Sequence, residues 1–480
     1  MNKPASCAGC PLYGDGQGFV PDEIREGAAV LIVGQNPGEQ EEAEGRPFVG
    51  KTGLSMEKYL RDAGLTRDEV SVGNALRCRW RGSNDLPPIT QTITKDALRH
   101  CWQAHGRIPD GTRLIVAQGD YAAVTLTGET VSAGDKSTGW RGFLRPYVGH
   151  APVVIEEPWV PARGTLPVLV TVHLARLFRE PWLTLPSRLD WAKIPRILKG
   201  TWPRKPPRFN TTPPEVWPEV FAFDTEWWQD KGSAPTSARL IRWSASWGTG
   251  DGETCVVEAD SGRVAPRSTQ DRARVITQYA PADVHHLAAL SGMRWDAPTN
   301  KLIGYGEVSA ITGKPLWGIT QRQSSVWDSY LIEDTVWKHA VLWSDHPHDL
   351  NYLGSLYSSF NRWKHLSETD PILYSGLDAV GLLEVDHALE RELGTDPRSR
   401  EVWESIDRPA LGEFVRAQYH GLRTHPSRVN EVVALLQGQA DEAMCKAQAL
   451  SGWPINIGSP SQVAHRLYDI DGIRPSKRRV

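Results

Sequence analysis

The segment AAVLIVGQNPGEQEEAEGRPFVGKTG (28–53) decides how the first part of this chain folds. Its opening run, AAVLIVG (28–34), is short, apolar and closed by glycine, the pattern of a strand buried on both faces. Its end, GRPFVGKT (45–52), satisfies the phosphate-loop expression G-x-x-x-x-G-K-[ST]. A phosphate loop must sit directly between strand and helix, so that backbone N–H groups and the helix N-terminus converge on the phosphates. Here ten residues separate Gly34 from Gly45, and Pro47 removes one N–H from the cradle. A P-loop NTPase is therefore the weaker reading of these residues.

Working outward, further apolar runs read as strands: VSVGN with the following Ala-Leu (70–76), LIVAQG (114–119), APVVIEE (151–157) and PVLVTVH (167–173). Between them LSMEKYLRDAG (54–64) and KDALRHCWQAHG (95–106) have helical periodicity and end on glycine. Such alternation predicts a parallel α/β sheet covered on both faces. The stretch PRKPPRFNTTPPEVWP (203–218) is too rich in proline for core structure and marks a linker over 201–217. A second α/β pattern opens with VFAFDTEW (220–227) and runs to about 395, and 396–480 is mostly helical in period.

At 480 residues the chain has room for two to four domains. A hydrophobic share of 40% and a charged share of 23% are those of an ordinary globular protein. No apolar run approaches the roughly 20 residues of a membrane span, and the N-terminus MNKPASCAGC has no signal-peptide core. We therefore expect a cytoplasmic protein with no membrane partner. The net charge of -3 gives no global basic footprint. Basic residues nevertheless cluster at Arg77, Arg79 and Arg81, along 176–208, and at Arg474, Lys477, Arg478 and Arg479. Such patches suit either DNA contact or a solvated surface.

Six cysteines occur, four of them in the first domain: Cys7, Cys10, Cys78 and Cys101. The C-x-x-C of Cys7 and Cys10 offers two thiolates to one centre, which in a reducing compartment argues for metal rather than a disulfide. Four thiolates suit a structural zinc or a [4Fe–4S] cluster, and spacing alone does not choose. Cys255 and Cys445 stand alone and read as packing residues.

In order along the chain, CAGCPLY (7–13), GQGFVP (16–21), VLIVGQNPG (30–38), GRPFVGKTG (45–53), VSVGNALRCR (70–79), HC (100–101), LIVAQG (114–119) and VTVHLARLFR (170–179) resemble the family 4, iron–sulfur uracil-DNA glycosylases. The resemblance implies a three-layer α/β/α glycosylase domain over 1–200, with Cys7, Cys10, Cys78 and Cys101 holding a [4Fe–4S] cluster. It implies that uracil stacks on Phe48 and pairs with Asn74, with Gln35 beside the base. His173 would donate to the developing uracil oxyanion, and the 34–38 loop would place the attacking water. Arg176 and Arg179 would flank the DNA minor groove. Two departures stand out. The family's GEAPG is GQNPG here, so Asn36 can orient a water but cannot act as a general base. The family's His-Pro-Ala is His173-Leu174-Ala175.

In the second module Asp224 and Glu226, two apart on a strand, project to one side, as metal-binding carboxylates of a nuclease would. Together with 326–357 and LYSGLDAVGLLEV (373–385), this region, 218–395, resembles the ribonuclease H-like 3′–5′ exonuclease domain of family A DNA polymerases. The resemblance implies Mg²⁺ or Mn²⁺, with Tyr374 orienting water and Asp378 binding metal. The second-motif aspartate falls at Ala310 in IGYGEVSAI (303–311), with Glu307 or Asp328 as substitutes out of place, which leaves the activity undecided. Residues 396–480 resemble the first helices of the polymerase domain. We expect either a fragment or a separate polymerase polypeptide to supply the rest. The expected function is uracil excision from single- or double-stranded DNA in repair or replication, in a bacterium or phage-infected cell. The alternative is a non-catalytic, uracil-binding replication accessory.

Overall fold

The computed structural model describes the chain apart from residues 1–2, 82–83, 132–138, 149–164, 229–238, 259–272, 281, 284–292, 297–300, 305–329, 412–413, 415–424, 453 and 474–480. The expected strand at 151–157, the substitutes Glu307 and Asp328, Ala310 and the C-terminal basic cluster all lie outside the described residues. Two compact units result, Met1–Tyr419 and His420–Val480.

The first unit holds two five-stranded sheets. In chain order the first comprises β1 (Val30–Gly34), β2 (Val70–Asn74), β3 (Leu114–Gln118), β4 (Leu144–Pro146) and β5 (Pro167–Thr171). Its spatial order is β2-β1-β3-β5-β4, parallel except for the antiparallel edge strand β4. Alternate residues of each strand enter different cores, as a period of two requires. Leu31, Val33, Ile115 and Ala117 pack on one side with α3 (Thr92–His105) and α4 (Asp120–Thr127). Val30, Ile32, Leu114 and Val116 pack on the other with α2 (Lys51–Asp62) and Trp191 of α5 (Thr184–Ala192). Both helices read from sequence begin three residues earlier than periodicity suggests, because Gly50 and Gln91 supply extended N-caps.

The second sheet comprises β6 (Val220–Trp228), β7 (Arg239–Ser246), β8 (Thr254–Glu258), β9 (Ala273–Thr277) and β10 (Tyr330–Asp334). Its order is β8-β7-β6-β9-β10: the first three are antiparallel neighbours, and β9 runs parallel to both β6 and β10. α6 (Thr335–Leu342), α7 (Leu350–Tyr357) and α8 (Pro371–Thr395) follow, and α7 and α8 bury Leu353, Leu377 and Val380 against Ala222 and Ile276.

The proline-rich stretch between the sheets is not a free tether. Trp202 is buried and donates from Nε1 to the Ser358 carbonyl, and Trp217 is buried against Phe221 and Trp243. Polar groups join the sheets directly. The carboxamide of Asn361 accepts from the Leu144 N–H at 2.9 Å and donates to the Leu144 carbonyl at 3.0 Å, capping edge strand β4 as another strand would. Buried Lys193 donates to the carbonyls of Gly142 and Ser355 at 2.5 and 2.6 Å. Arg141 pairs with Asp190 at 2.9 Å and also donates to Ser355.

The second unit is a long helix, Pro426–Ser451, ended by Gly452 in the left-handed region, then a shorter helical run from Pro460. Its apolar Val433, Leu435 and Leu450 are exposed. Cys445 is exposed there too, which corrects its reading as a packing residue; Cys255 is buried. No helix among the described residues is long and apolar enough to cross a membrane.

Candidate functional site

Ligands of open parallel sheets bind beyond the carboxyl ends of the strands. At that edge of the first sheet Gln35 and Asn36 follow β1, Asn74 ends β2 and His173 follows β5. All four line one cleft of about 790 Å³, together with Phe48, Arg176 and Arg179. The backbone here is shaped to bring them close. A Cβ on Gly34 would lie 2.5 Å from the Phe48 ring and 2.6 Å from Asn74 Oδ1. A Cβ on Gly119, at φ +85°, would lie 2.5 Å from the Gln35 amide and 3.0 Å from His173 Cβ. Phe48 itself has a positive φ of 52°, uncommon for a bulky residue. Arg67 holds it there, donating to the carbonyls of Pro47 and Phe48 at 2.7 and 2.8 Å while paired with Glu23.

The phosphate-loop reading of 45–52 fails on two observations. A helix, Glu39–Glu44 (α1), intervenes after β1. The N–H of Gly50 is already spent on Glu41 Oε1 at 2.9 Å, while Oε2 of the same carboxylate takes the Gly38 N–H. Glu41 thus ties the two ends of the loop together, a role its sequence position did not suggest.

His173 Nδ1 accepts from the Ala175 N–H at 3.3 Å, which leaves the ring's proton on Nε2. Burial, reinforced by nearby Arg179, pushes its pKa down to about 4, so the imidazole is neutral. A neutral ring with Nε2–H is a hydrogen-bond donor that need not give up a proton. Asn36 spends its amide protons on the carbonyls of Pro37 and Asn84, at 3.1 and 3.3 Å, leaving Oδ1 to accept. Arg176 is paired bidentately with Glu180 at 3.0 and 2.6 Å, whereas Arg179 is exposed. Between them Phe178 is 57% exposed beside the cleft, an aromatic that the sequence reading passed over.

The four cysteines of the first domain surround one small cavity with Leu12, Phe19, Leu76 and Arg77. Burial, then the other thiols, raise the pKa of Cys78 to about 12 and that of Cys7 in the same direction. Tetrahedral zinc, with Zn–S near 2.3 Å, would hold its sulfurs about 3.8 Å apart. Among the described residues no three cysteine sulfurs lie within 4.8 Å of one another. Arg77 donates to Cys101 Sγ at 3.8 Å and pairs with buried Asp22 at 2.6 Å. Arg79 pairs with Glu42, and Arg81 with Asp15. The Arg77-Arg79-Arg81 cluster is therefore no DNA-facing patch at Arg77, which is interior because its counter-charge, Asp22, is too.

In the second sheet Asp224 and Glu226 sit within β6 rather than at its end, and α8 brings Asp378 to them. Ligand atoms of the three lie within 4.8 Å of one another. Burial, then Asp378 and Asp283, raise the Asp224 pKa well above the carboxylate range, and burial with Asp378 raises Glu226 to about 7. Tyr374 stands beside them, its hydroxyl 3.1 Å from Lys364 Nζ, and the same ammonium contacts Asp378. Asp283 is the residue missed. It follows β9, is buried, and accepts from Thr225 Oγ1 at 2.7 Å, next to Asp224 along β6. Its signal was a strand, ARVIT (273–277), with an aspartate six residues on, but the flanking Gln278, Tyr279 and Ala282 give that aspartate no distinctive motif.

Residues 21–190 match the family model described as the Uracil DNA glycosylase superfamily. A type-4 uracil-DNA glycosylase of Thermotoga maritima is 34% identical over 95 residues, 20% of this chain and 46% of that protein. One of Archaeoglobus fulgidus is 32% identical over 120 residues, 25% of this chain and 57% of that protein. The chain thus spans about half the length of the curated relatives it matches. Among solved structures, Brucella melitensis NrnC with bound Mg²⁺ is similar at 15% identity and a TM-score of 0.27, over 44% of this chain and 87% of that one.

Proposed function

We propose that the first domain is a uracil-DNA glycosylase that hydrolyses the N-glycosidic bond of uracil in DNA. The observation that carries the reading is the single cleft uniting Asn36, Phe48, Asn74 and a neutral His173, in a segment that matches the glycosylase superfamily. A base inside a duplex is out of reach, so the nucleotide is flipped or taken from a single strand. Uracil stacks on Phe48, and the Asn74 carboxamide, with both donor and acceptor, pairs with its polar edge. As the C1′–N1 bond breaks, its electron pair passes to the base, and His173 Nε2–H stabilises the charge gathering on the carbonyl oxygen. Water held by Asn36 Oδ1 adds to the cationic C1′ and loses its proton to solvent. Asn36 accepts no proton itself. Gln35 lies beside the base, and Arg179 with Phe178 contacts the DNA strand at the cleft mouth.

Cys7, Cys10, Cys78 and Cys101 would hold a [4Fe–4S] cluster, whose contribution is to crosslink the N-terminal loop to β2 and α3. In a DNA substrate carrying one uracil, free uracil is expected as a product, and none is expected from the same strand carrying thymine. Binding without release would instead favour the non-catalytic accessory.

A second reading is favoured by the convergence of Asp224, Glu226, Asp378 and Tyr374 with Asp283 adjacent. These residues support a 3′–5′ exonuclease-like module that takes Mg²⁺ or Mn²⁺. Loss of nucleotides from a 5′-labelled strand with Mn²⁺, removed by Asp378→Ala, is the expected result; degradation that persists in that variant contradicts it.

A further inference from the structure

We propose that Lys364 is a resident cation of the second module's carboxylate cluster, standing where a divalent metal would bind Asp378 and competing with it. The inference rests on the nuclease reading above and concerns how this chain departs from it.

Lys364 Nζ lies 2.6 and 2.7 Å from Oδ1 and Oδ2 of Asp378, so both carboxylate oxygens are engaged by one ammonium. Trp363 Nε1–H adds a third donor, 2.6 Å from Oδ1. Lys364 and Trp363 together occupy three of the roughly four lone-pair sites of this carboxylate. A Mg²⁺ ion within bonding reach of Asp378, at about 2.0–2.1 Å, or a Mn²⁺ ion in its place, would meet that ammonium almost in contact. Both cannot stay.

The lysine is delivered to this place by its neighbours. Trp363 is buried, and α7 and α8 each present a glycine to its ring: a Cβ on Gly354 or Gly381 would lie 2.6 or 2.9 Å from it. Lys364 then opens a short helical turn, Lys364–Leu366, directly beside the cluster.

A second acidic group in the same module shows the arrangement in a closed form. Glu333, Asp386 and Glu390 also bring their ligand atoms within 4.8 Å, and Lys338 fills that group at 2.5, 2.5 and 2.7 Å. Lys338 is fully buried, so that triad is a sealed ion network tying β10, α6 and α8. The Lys364 side chain keeps 22% of its surface exposed, and so has a way out. The Lys338 network is structural, and the Lys364 pair is displaceable. Metal enters only in the fraction of molecules whose lysine has swung away, and the apparent affinity falls by that fraction.

The test is Mn²⁺ binding to the full chain, followed by the resonance of free Mn²⁺, for the wild type, Lys364→Met, Lys364→Gln and Lys364→Met/Asp224→Asn. Either single variant is expected to bind at least about tenfold more tightly than the wild type, the gain vanishing in the double variant. Wild-type binding as tight as that of the single variants, and dependent on Asp224, overturns the inference and leaves the nuclease reading standing. No Asp224-dependent binding in any folded variant overturns both.

A measurement on the wild type guards against variants that do not fold. Amine labelling of Lys364, read by mass spectrometry, is expected to rise when saturating Mn²⁺ is added. Labelling that stays constant while Mn²⁺ binds through Asp224 overturns the inference.

Discussion

The backbone N–H of Ala175 donates to Nδ1 of His173 at 3.3 Å, and the whole tautomeric state of the candidate catalytic ring follows from it. With Nδ1 an acceptor, Nε2 carries the proton. Burial then keeps a second proton away, to a pKa of about 4.

The pH dependence follows in sign. A histidine titrating near its ordinary value of about 6.5 would lose its neutral form well before pH 5. His173 keeps its neutral form down to about 4, so kcat/KM for uracil release is expected to show no acid limb near 6.5 from this group. The unfolded chain takes up this proton near 6.5 and the folded chain only near 4, so His173 lowers stability as pH falls through that window. A steep fall in kcat/KM centred near 6.5, absent in His173→Gln, contradicts this.

Gly34→Ala tests the pocket without removing a functional group. The added methyl meets the Phe48 ring and Asn74 Oδ1 at 2.5 and 2.6 Å. Displacing either by an ångström is expected to lower the rate of uracil release by about 100-fold. Secondary structure and iron content should be unchanged. Full activity in this variant would show that the base does not bind between these two residues.

Much of this arrangement could be read in advance, because glycine spacing and strand patterning are local. The β1 strand, the loop at Gly34–Gly38 and the order of Asn74 and His173 lie in contiguous motifs. What escaped depended on partners distant in sequence. Arg77 looks like its neighbours Arg79 and Arg81, and only Asp22, 55 residues earlier, reveals it as interior. Asp283 was hidden because the residues around it depart from the expected spelling while the strand before it keeps its place beside β6. The edge strand β4 was missed because its three residues carry no pattern long enough to distinguish. Lys364 carries no signal of its own, since nothing local indicates that α8 brings Asp378 to it.

Asn361→Ala tests the docking of the two sheets. It removes both partners of Leu144 and leaves a buried N–H and C=O unpaired. A loss of about 1–3 kcal/mol is expected. In calorimetry this should appear as a lowered midpoint or as two transitions in place of one. An unchanged thermogram would mean that the sheets are held together elsewhere.

The central claim is that the neutral imidazole of His173 acts on uracil held in the cleft. Its most direct test is the single-turnover rate of free uracil release from a uracil-containing strand, by wild type and His173→Ala preparations of equal iron content. The account predicts release by the wild type and a loss of about 100- to 1,000-fold in the variant, the scale of one lost oxyanion donor. Equal rates in the two preparations, or no uracil from an iron-replete wild type, would contradict it.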